Sequence, residues 1–205
     1  MITGSEEESR ALMMNAAVRI VARHGFEGFT TKKWAYEAGV AEGSLYYHFK
    51  SKKDLLDETF FMIDDEITSL YSDEDGVPEE RGEIRGYAEN LWKKHYRYLL
   101  DHPDRTKYYY RFRTSPRYTD EVQTEHQDDS KGVYRILEQM DKSLHLAERL
   151  PFHVLWCYVL DTTTSIAFRV ITGGIKQSDE TEKQLACLVL RGLEGLLDRA
   201  AEPAV

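Results

Sequence analysis

The chain has almost nothing that could cross-link it. Among 205 residues only Cys157 and Cys187 are cysteines. Two cannot build a disulfide framework, and their spacing fits no metal-ligand pattern. Such residues usually serve as small core side chains, and nothing cationic flanks either one closely enough to mark a reactive thiolate. Prolines number only five, and no strand-like alternation is sustained, so an all-α fold is expected. No apolar run looks long enough to span a membrane, and the opening MITGSEEESR is polar and acidic, unlike a secretion signal. The expectation is a cytoplasmic protein with no membrane contact. Gly-rich phosphate loops, a nucleophile elbow and metal motifs are also missing. His95, His102, His126, His145 and His153 form no i, i+4 pair and no mixed Cys/His cluster. No metal site, no cofactor and no enzyme activity are therefore expected.

What is present is unevenly placed charge. The net charge is −9, which by itself argues against a nucleic-acid partner. Between Arg19 and Lys53, however, seven basic residues (Arg19, Arg23, Lys32, Lys33, Lys50, Lys52, Lys53) meet only three acids (Glu27, Glu37, Glu42). An acidic chain with one basic N-terminal stretch suggests that one face meets phosphate while the rest does other work.

Helical spacing recurs along the chain. A first helix is expected over 7–24, with Leu12, Ala16, Val18 and Ile20 inward and Gly25 as its stop. Phe26 and Phe29 fall in the connection that follows. Thr30 can cap a short helix over 31–38, and Gly39 stops it. A second short helix is expected over 42–49, and Ser51 then caps a long one reaching Tyr71. The Gly-, Pro- and acid-rich stretch from Ser72 to Gly82 reads as a loop and a boundary. Helices over 83–100, 104–113 and 119–144 are expected next, the last with a polar first half. Pro151 opens a strongly apolar helix to Thr172, and Asp179 with Glu182 reads as the capping pair of a final helix to Ala200.

The pair 31–38 and 42–49, joined through Gly39, is the helix-turn-helix pattern. In that motif the second helix enters the DNA major groove while the first crosses the backbone. Residues 10–56 resemble the N-terminal DNA-binding domain of the tetracycline-repressor (TetR) family of bacterial regulators. Gly25-Phe26, Thr30, Ala35, Ala38-Gly39-Val40, Gly43, Leu45-Tyr46, His48-Phe49, Ser51-Lys52 and Leu55 match in order and spacing. The resemblance implies residues 1–52 as a helix-turn-helix DNA-binding domain, with the motif at about 31–50. It implies 53–205 as a helical ligand-binding and dimerisation body, and a homodimeric repressor that pairs through its last two helices. Outside the first domain the likeness is one of architecture.

Side-chain chemistry suggests roles within the motif. Leu45 and Phe49, four apart, should pack inward against Ala35, Ala38 and Val40. Trp34 stands where the family usually has an aliphatic residue and reads as core. Tyr47 and His48 should face phosphates, and the backbone around Gly43 and Ser44 should approach base edges. Tyr46 can pack its ring and offer its hydroxyl to a phosphate. Lys32, Lys33 and Lys52 can neutralise phosphates, and Thr30 and Thr31 add hydroxyls. Such contacts position a protein and do not read sequence. Glu42 has two open readings: an acceptor for cytosine N4, or an exposed acid favoured by the helix N-terminus.

The body is rich in aromatic residues. Trp92, Tyr96, Tyr109, Tyr110, Trp156 and Phe168, with the polar Asp161 and Ser165, are the candidates for a pocket that takes a small, partly apolar or aromatic effector. Asp161 and Arg169, about two turns apart on one helix, can each pair elsewhere. Any one of the aromatic residues can equally be core. The function expected is a sequence-specific regulator that binds double-stranded operator DNA and is released by a small ligand. Release needs a coupling of about 1–3 kcal/mol, transmitted from 83–100 and 104–113 through the fourth helix. Control by a protein partner or by cysteine oxidation is the alternative.

Overall fold

The computed structural model describes residues 4–71, 76–78, 80–122, 124 and 151–198, and every regular element among them is helical. In chain order they are α1 (Gly4–His24), α2 (Thr31–Ala38), a 3-10 turn (Glu42–Ser44), α3 (Leu45–His48), α4 (Lys52–Ser69), α5 (Arg81–Asp101), α6 (Pro103–Arg113), α7 (Phe152–Ile171) and α8 (Asp179–Asp198). Most of the helix expected over 119–144 lies outside the described residues. The described helices fall into two compact units, one from 1–65 with 102–123 and one from 66–101 with 124–205.

In the first unit α1 packs on α2 and α6. Met13, Ala16, Ala17, Val18, Ile20 and Val21 form its buried face. Leu12, expected inward, is exposed, because Met13 and Ala16 carry the stripe one residue round the helix. Gly25 takes φ 68° and donates to the Val21 carbonyl at 2.9 Å, which stops α1 as expected. Arg111 on α6 donates to the carbonyls of Val21 and Ala22, adding side-chain bonds to the last turn of α1. Beneath lies an aromatic cluster. Phe60 of α4 stacks on Tyr109 at 5.1 Å and on Phe112 at 4.4 Å, and Phe26 stands edge-on to Tyr108 at 5.5 Å. The phenols are satisfied as well: Tyr108 donates to the Leu56 carbonyl at 2.7 Å and Tyr109 to Asp64 at 2.5 Å. Ser51 caps α4 by accepting from the Asp54 amide at 3.1 Å, as expected.

The second unit packs α5 on α7 and α8. Trp92 stacks on Tyr96 at 4.9 Å and donates its indole N–H to Thr163 at 2.9 Å. Tyr96 donates to Gln177 at 2.8 Å, and Arg97 pairs with Glu182 at 3.0 Å. Three expectations are corrected. α4 ends at Ser69, two residues early, and Tyr71 turns inward and is buried. The cap of α8 is Ser178, whose Oγ accepts from the Thr181 amide at 3.1 Å. Asp179 is already helical, and Glu182 is engaged by Arg97. Finally, α7 over Val154–Ile171 is long and apolar enough to cross a membrane by length and composition. It also carries Asp161 and Arg169 and packs against α5 and α8, and the core helix of a bundle passes the same test.

Candidate nucleic-acid interface

The interface is built outward from a dry base. Trp34 is fully buried and donates its indole N–H to the Met13 carbonyl at 3.0 Å, which ties α2 to the middle of α1. Leu45 and Phe49 are buried beside it, with Ala35. These residues fix how α2 and α3 are held, as their i, i+4 spacing requires.

The ends of α2 are set by the local sequence. Thr30 is extended (φ −123°, ψ 150°), and its hydroxyl oxygen accepts from the Lys33 amide at 3.2 Å. At the other end Gly39 adopts φ 70°, donating to Tyr36 at 3.3 Å while Val40 donates to Ala35 at 3.0 Å. This pair of reversed bonds is the Schellman stop, and it needs a left-handed residue. The continuous helix expected over 42–49 is instead a 3-10 turn (Glu42–Ser44) leading into α3 (Leu45–His48). Phe49 has left the helix, at φ −134° and ψ 138°. Gly43 and Ser44 are weak helix formers, and a tight 3-10 entry is common at helix N-termini.

The outer face carries the candidate contacts. Tyr36, Tyr46 and Tyr47 are 89%, 67% and 77% exposed. The ring of Tyr46, expected to pack, stands in solvent. Tyr36 was not singled out from the sequence; its position on α2, two residues past the buried Trp34, is the signal that could have found it. His48 is half-buried, edge-on to Tyr47 at 4.8 Å, and its Nδ1 is buried without a hydrogen-bond partner. Lys32 and Gly43 are exposed, and a Cβ at Gly43 would meet nothing within 4 Å. Thr31 donates to Glu42 at 2.8 Å, so these two candidates bridge the start of α2 and the 3-10 turn.

The cations divide into committed and available groups. Arg19 pairs with Glu37 at 2.5 Å and Arg23 approaches the same carboxylate at 3.8 Å, which clamps α1 to α2. Lys33 donates to the Gly28 carbonyl at 3.3 Å. Lys52 donates to the Phe29 carbonyl at 2.7 Å and lies 5.0 Å over the Phe29 ring. Partial burial, then the nearby Arg117 charge, lowers its pKa. Arg10 is a residue that sequence reasoning missed. It donates to the His48 carbonyl and to Glu58, and lies 4.5 Å over the Phe49 ring. It therefore holds the C-terminal end of α3, and its distance of 38 residues from His48 hid that role.

The eight candidate pocket residues are not brought together in one unit. Tyr109 and Tyr110 belong to the first, where Tyr109 is packed as core by its stack on Phe60 and its bond to Asp64. Trp92, Tyr96, Trp156, Asp161, Ser165 and Phe168 belong to the second. Asp161 and Arg169 are exposed, whereas Ser165 and Phe168 are half-buried. Missed from the sequence was His95, which is fully buried with its Nδ1 2.8 Å from the Tyr71 hydroxyl. Its Nε2, the Trp156 indole nitrogen and the Thr164 hydroxyl are buried without partners. A buried unsatisfied polar group costs about 1–3 kcal/mol, and few are tolerated in native cores.

A family model described as bacterial regulatory proteins of the tetR family matches residues 13–59. The HTH-type transcriptional repressor KstR2 of Mycobacterium tuberculosis is 23% identical over 197 residues, which is 94% of this chain and 96% of that protein. The fatty acid metabolism regulator protein of Bacillus subtilis is 40% identical over 48 residues, 23% of this chain and 25% of that one. Among solved structures, a TetR family transcription regulator from Marinobacter aquaeolei superposes with a TM-score of 0.73 at 24% identity, covering 90% of this chain and 95% of the other. FadR of Bacillus subtilis, in complex with stearoyl-CoA, superposes with a TM-score of 0.62 at 20% identity, covering 91% and 97%. At these identities the structural likenesses speak for the fold.

Proposed function

We propose that the chain is an operator-binding repressor of the tetR family, whose model matches residues 13–59, with residues 1–52 as its DNA-contacting part and a small molecule as its release signal. The observation that carries this reading is the exposed face of Tyr36, Lys32, Gly43, Tyr46 and Tyr47 above the buried Trp34, Leu45 and Phe49. A rigid apolar base under a polar, aromatic and cationic surface is what a groove-entering helix pair needs. In the proposed complex, Lys32, Lys33, Lys52, Thr30, Thr31, Tyr46, Tyr47 and His48 meet the backbone. Gly43, Ser44 and Glu42 approach base edges. Glu42 accepts from Thr31 with Oε1, and its carboxylate has further lone pairs to offer a base.

Residues 53–205 are the proposed effector and dimer-forming part. Val154 and Tyr158 on α7 and Leu188 on α8 are exposed apolar residues, which supports pairing of two copies through these helices. The stearoyl-CoA complex of FadR and the aromatic core of the second unit support a partly apolar effector. No catalytic role is proposed, and the site of action is the cytoplasm, where the chromosome is.

Selection of genomic fragments by the purified protein at near-physiological salt tests this reading. Two half-sites related by a two-fold axis and centred about 34 Å apart are expected. Binding that depends on salt but not on sequence would overturn it.

A further inference from the structure

We propose that the ring nitrogens of His95 and Trp156 form a pair of buried donors that anchors one oxygen of the effector, and that this oxygen belongs to a neutral carbonyl on an apolar or aromatic frame. The inference rests on the reading of residues 53–205 as the effector-binding part and deepens it. Both side chains are almost wholly buried, and neither His95 Nε2 nor Trp156 Nε1 has a hydrogen-bond partner. Their ring centroids are 6.4 Å apart. Tyr71 stands edge-on to both, at 5.7 Å from His95 and 4.9 Å from Trp156.

Hydrogen bookkeeping decides what the pair offers. The Tyr71 hydroxyl lies 2.8 Å from His95 Nδ1. If the phenol donates to Nδ1, its proton is satisfied and the imidazole proton sits on Nε2. If Nδ1–H donated instead, the phenol proton and the Nε2 lone pair would both go unused. The first arrangement is favoured and leaves Nε2–H as a donor. The indole nitrogen can only donate. Two N–H groups in one buried cluster, with no acceptor, match the two lone pairs of a carbonyl oxygen. Charge argues against a carboxylate. Burial pushes the His95 pKa down to about 3, and among the described residues no charged group contributes to that shift, so a buried anion there would meet no counter-charge from them. Thr164, eight residues beyond Trp156 on α7, is roughly 12 Å further along the helix and serves a different point.

The test uses full-length protein labelled with 15N and two probes of one shape, 2-acetylnaphthalene and 2-ethylnaphthalene, of which only the first has a carbonyl. Trp34, Trp92 and Trp156 give three indole N–H signals, and Trp156→Phe identifies the third. The ketone is expected to bind about tenfold or more tightly than the hydrocarbon, to move the Trp156 signal and to leave that of Trp34 in place. The His95 ring is expected to carry its proton on Nε2 in the free protein, a reading that needs no variant. In His95→Phe the preference for the ketone should disappear. Equal affinity for the two probes, no binding of either, an unmoved Trp156 signal, or a proton on Nδ1 would overturn the donor pair. Failure of the wider reading looks different. A ketone that moves the Trp156 signal but leaves operator affinity unchanged would support the anchor and refute ligand-controlled release. An unrelated small molecule that releases DNA without moving that signal would refute the anchor and leave release intact.

Discussion

Two glycines four residues apart do opposite work. Gly39 sits at φ 70° with nothing within 4 Å of an added Cβ, so Gly39→Ala introduces backbone strain without a clash. A loss of about 1–2 kcal/mol is expected in urea denaturation. Gly43 is equally open but has no positive φ. Gly43→Ala should therefore leave the urea midpoint nearly unchanged while weakening DNA binding, since the added methyl faces where the bases would come. Trp34→Ala removes a fully buried ring and orphans its bond to Met13; a loss of about 3–5 kcal/mol is expected by the same measurement. His95 carries a pH signature. Its folded pKa is lowered to about 3 from an ordinary value near 6.5, so below pH ~6.5 the unfolded chain binds the extra proton. Stability should then fall with pH through the window from about 6.5 to about 3, by up to ~1.4 kcal/mol per pH unit from this group. Urea titrations across that window should show the slope shrink in His95→Phe.

At the scale of elements, α2, the 3-10 turn and α3 act as one rigid piece held by Trp34, by the Schellman stop and by Arg10. Lys32 and Lys33 are both exposed on this piece, and Lys33 also donates to the Gly28 carbonyl. Replacing both by alanine should weaken binding to all DNA sequences alike. It should reduce the slope of log affinity against log salt by about 1 per lysine; an unchanged slope would remove both from the phosphate contacts. Much of this piece was legible in the sequence. Thr30, Gly39 and Ser51 announce their own caps, and Trp34 reads as core from its apolar neighbours. What stayed hidden depends on long-range partners. Nothing near Arg10 tells of His48, nothing near Tyr109 tells of Asp64, and nothing near His95 tells of Tyr71. The break of 42–49 into a 3-10 turn and a helix was missed because periodicity records which residues face inward, not how tightly the backbone is wound.

For the whole molecule, the proposed repressor acts as two copies. Leu188 on α8 is 63% exposed, against 39% for Val154 and Tyr158 on α7. Leu188→Glu should shift sedimentation from dimer toward monomer and lower operator affinity together. Loss of operator binding with an intact dimer would separate the two functions. In the proposed complex two copies of α3 lie in successive major grooves on one side of the DNA. Hydroxyl-radical footprinting on a selected fragment measures this most directly. Two protected patches about one helical turn apart are expected, both weakened in Gly43→Ala. A single patch, or uniform protection unaffected by that substitution, would contradict it.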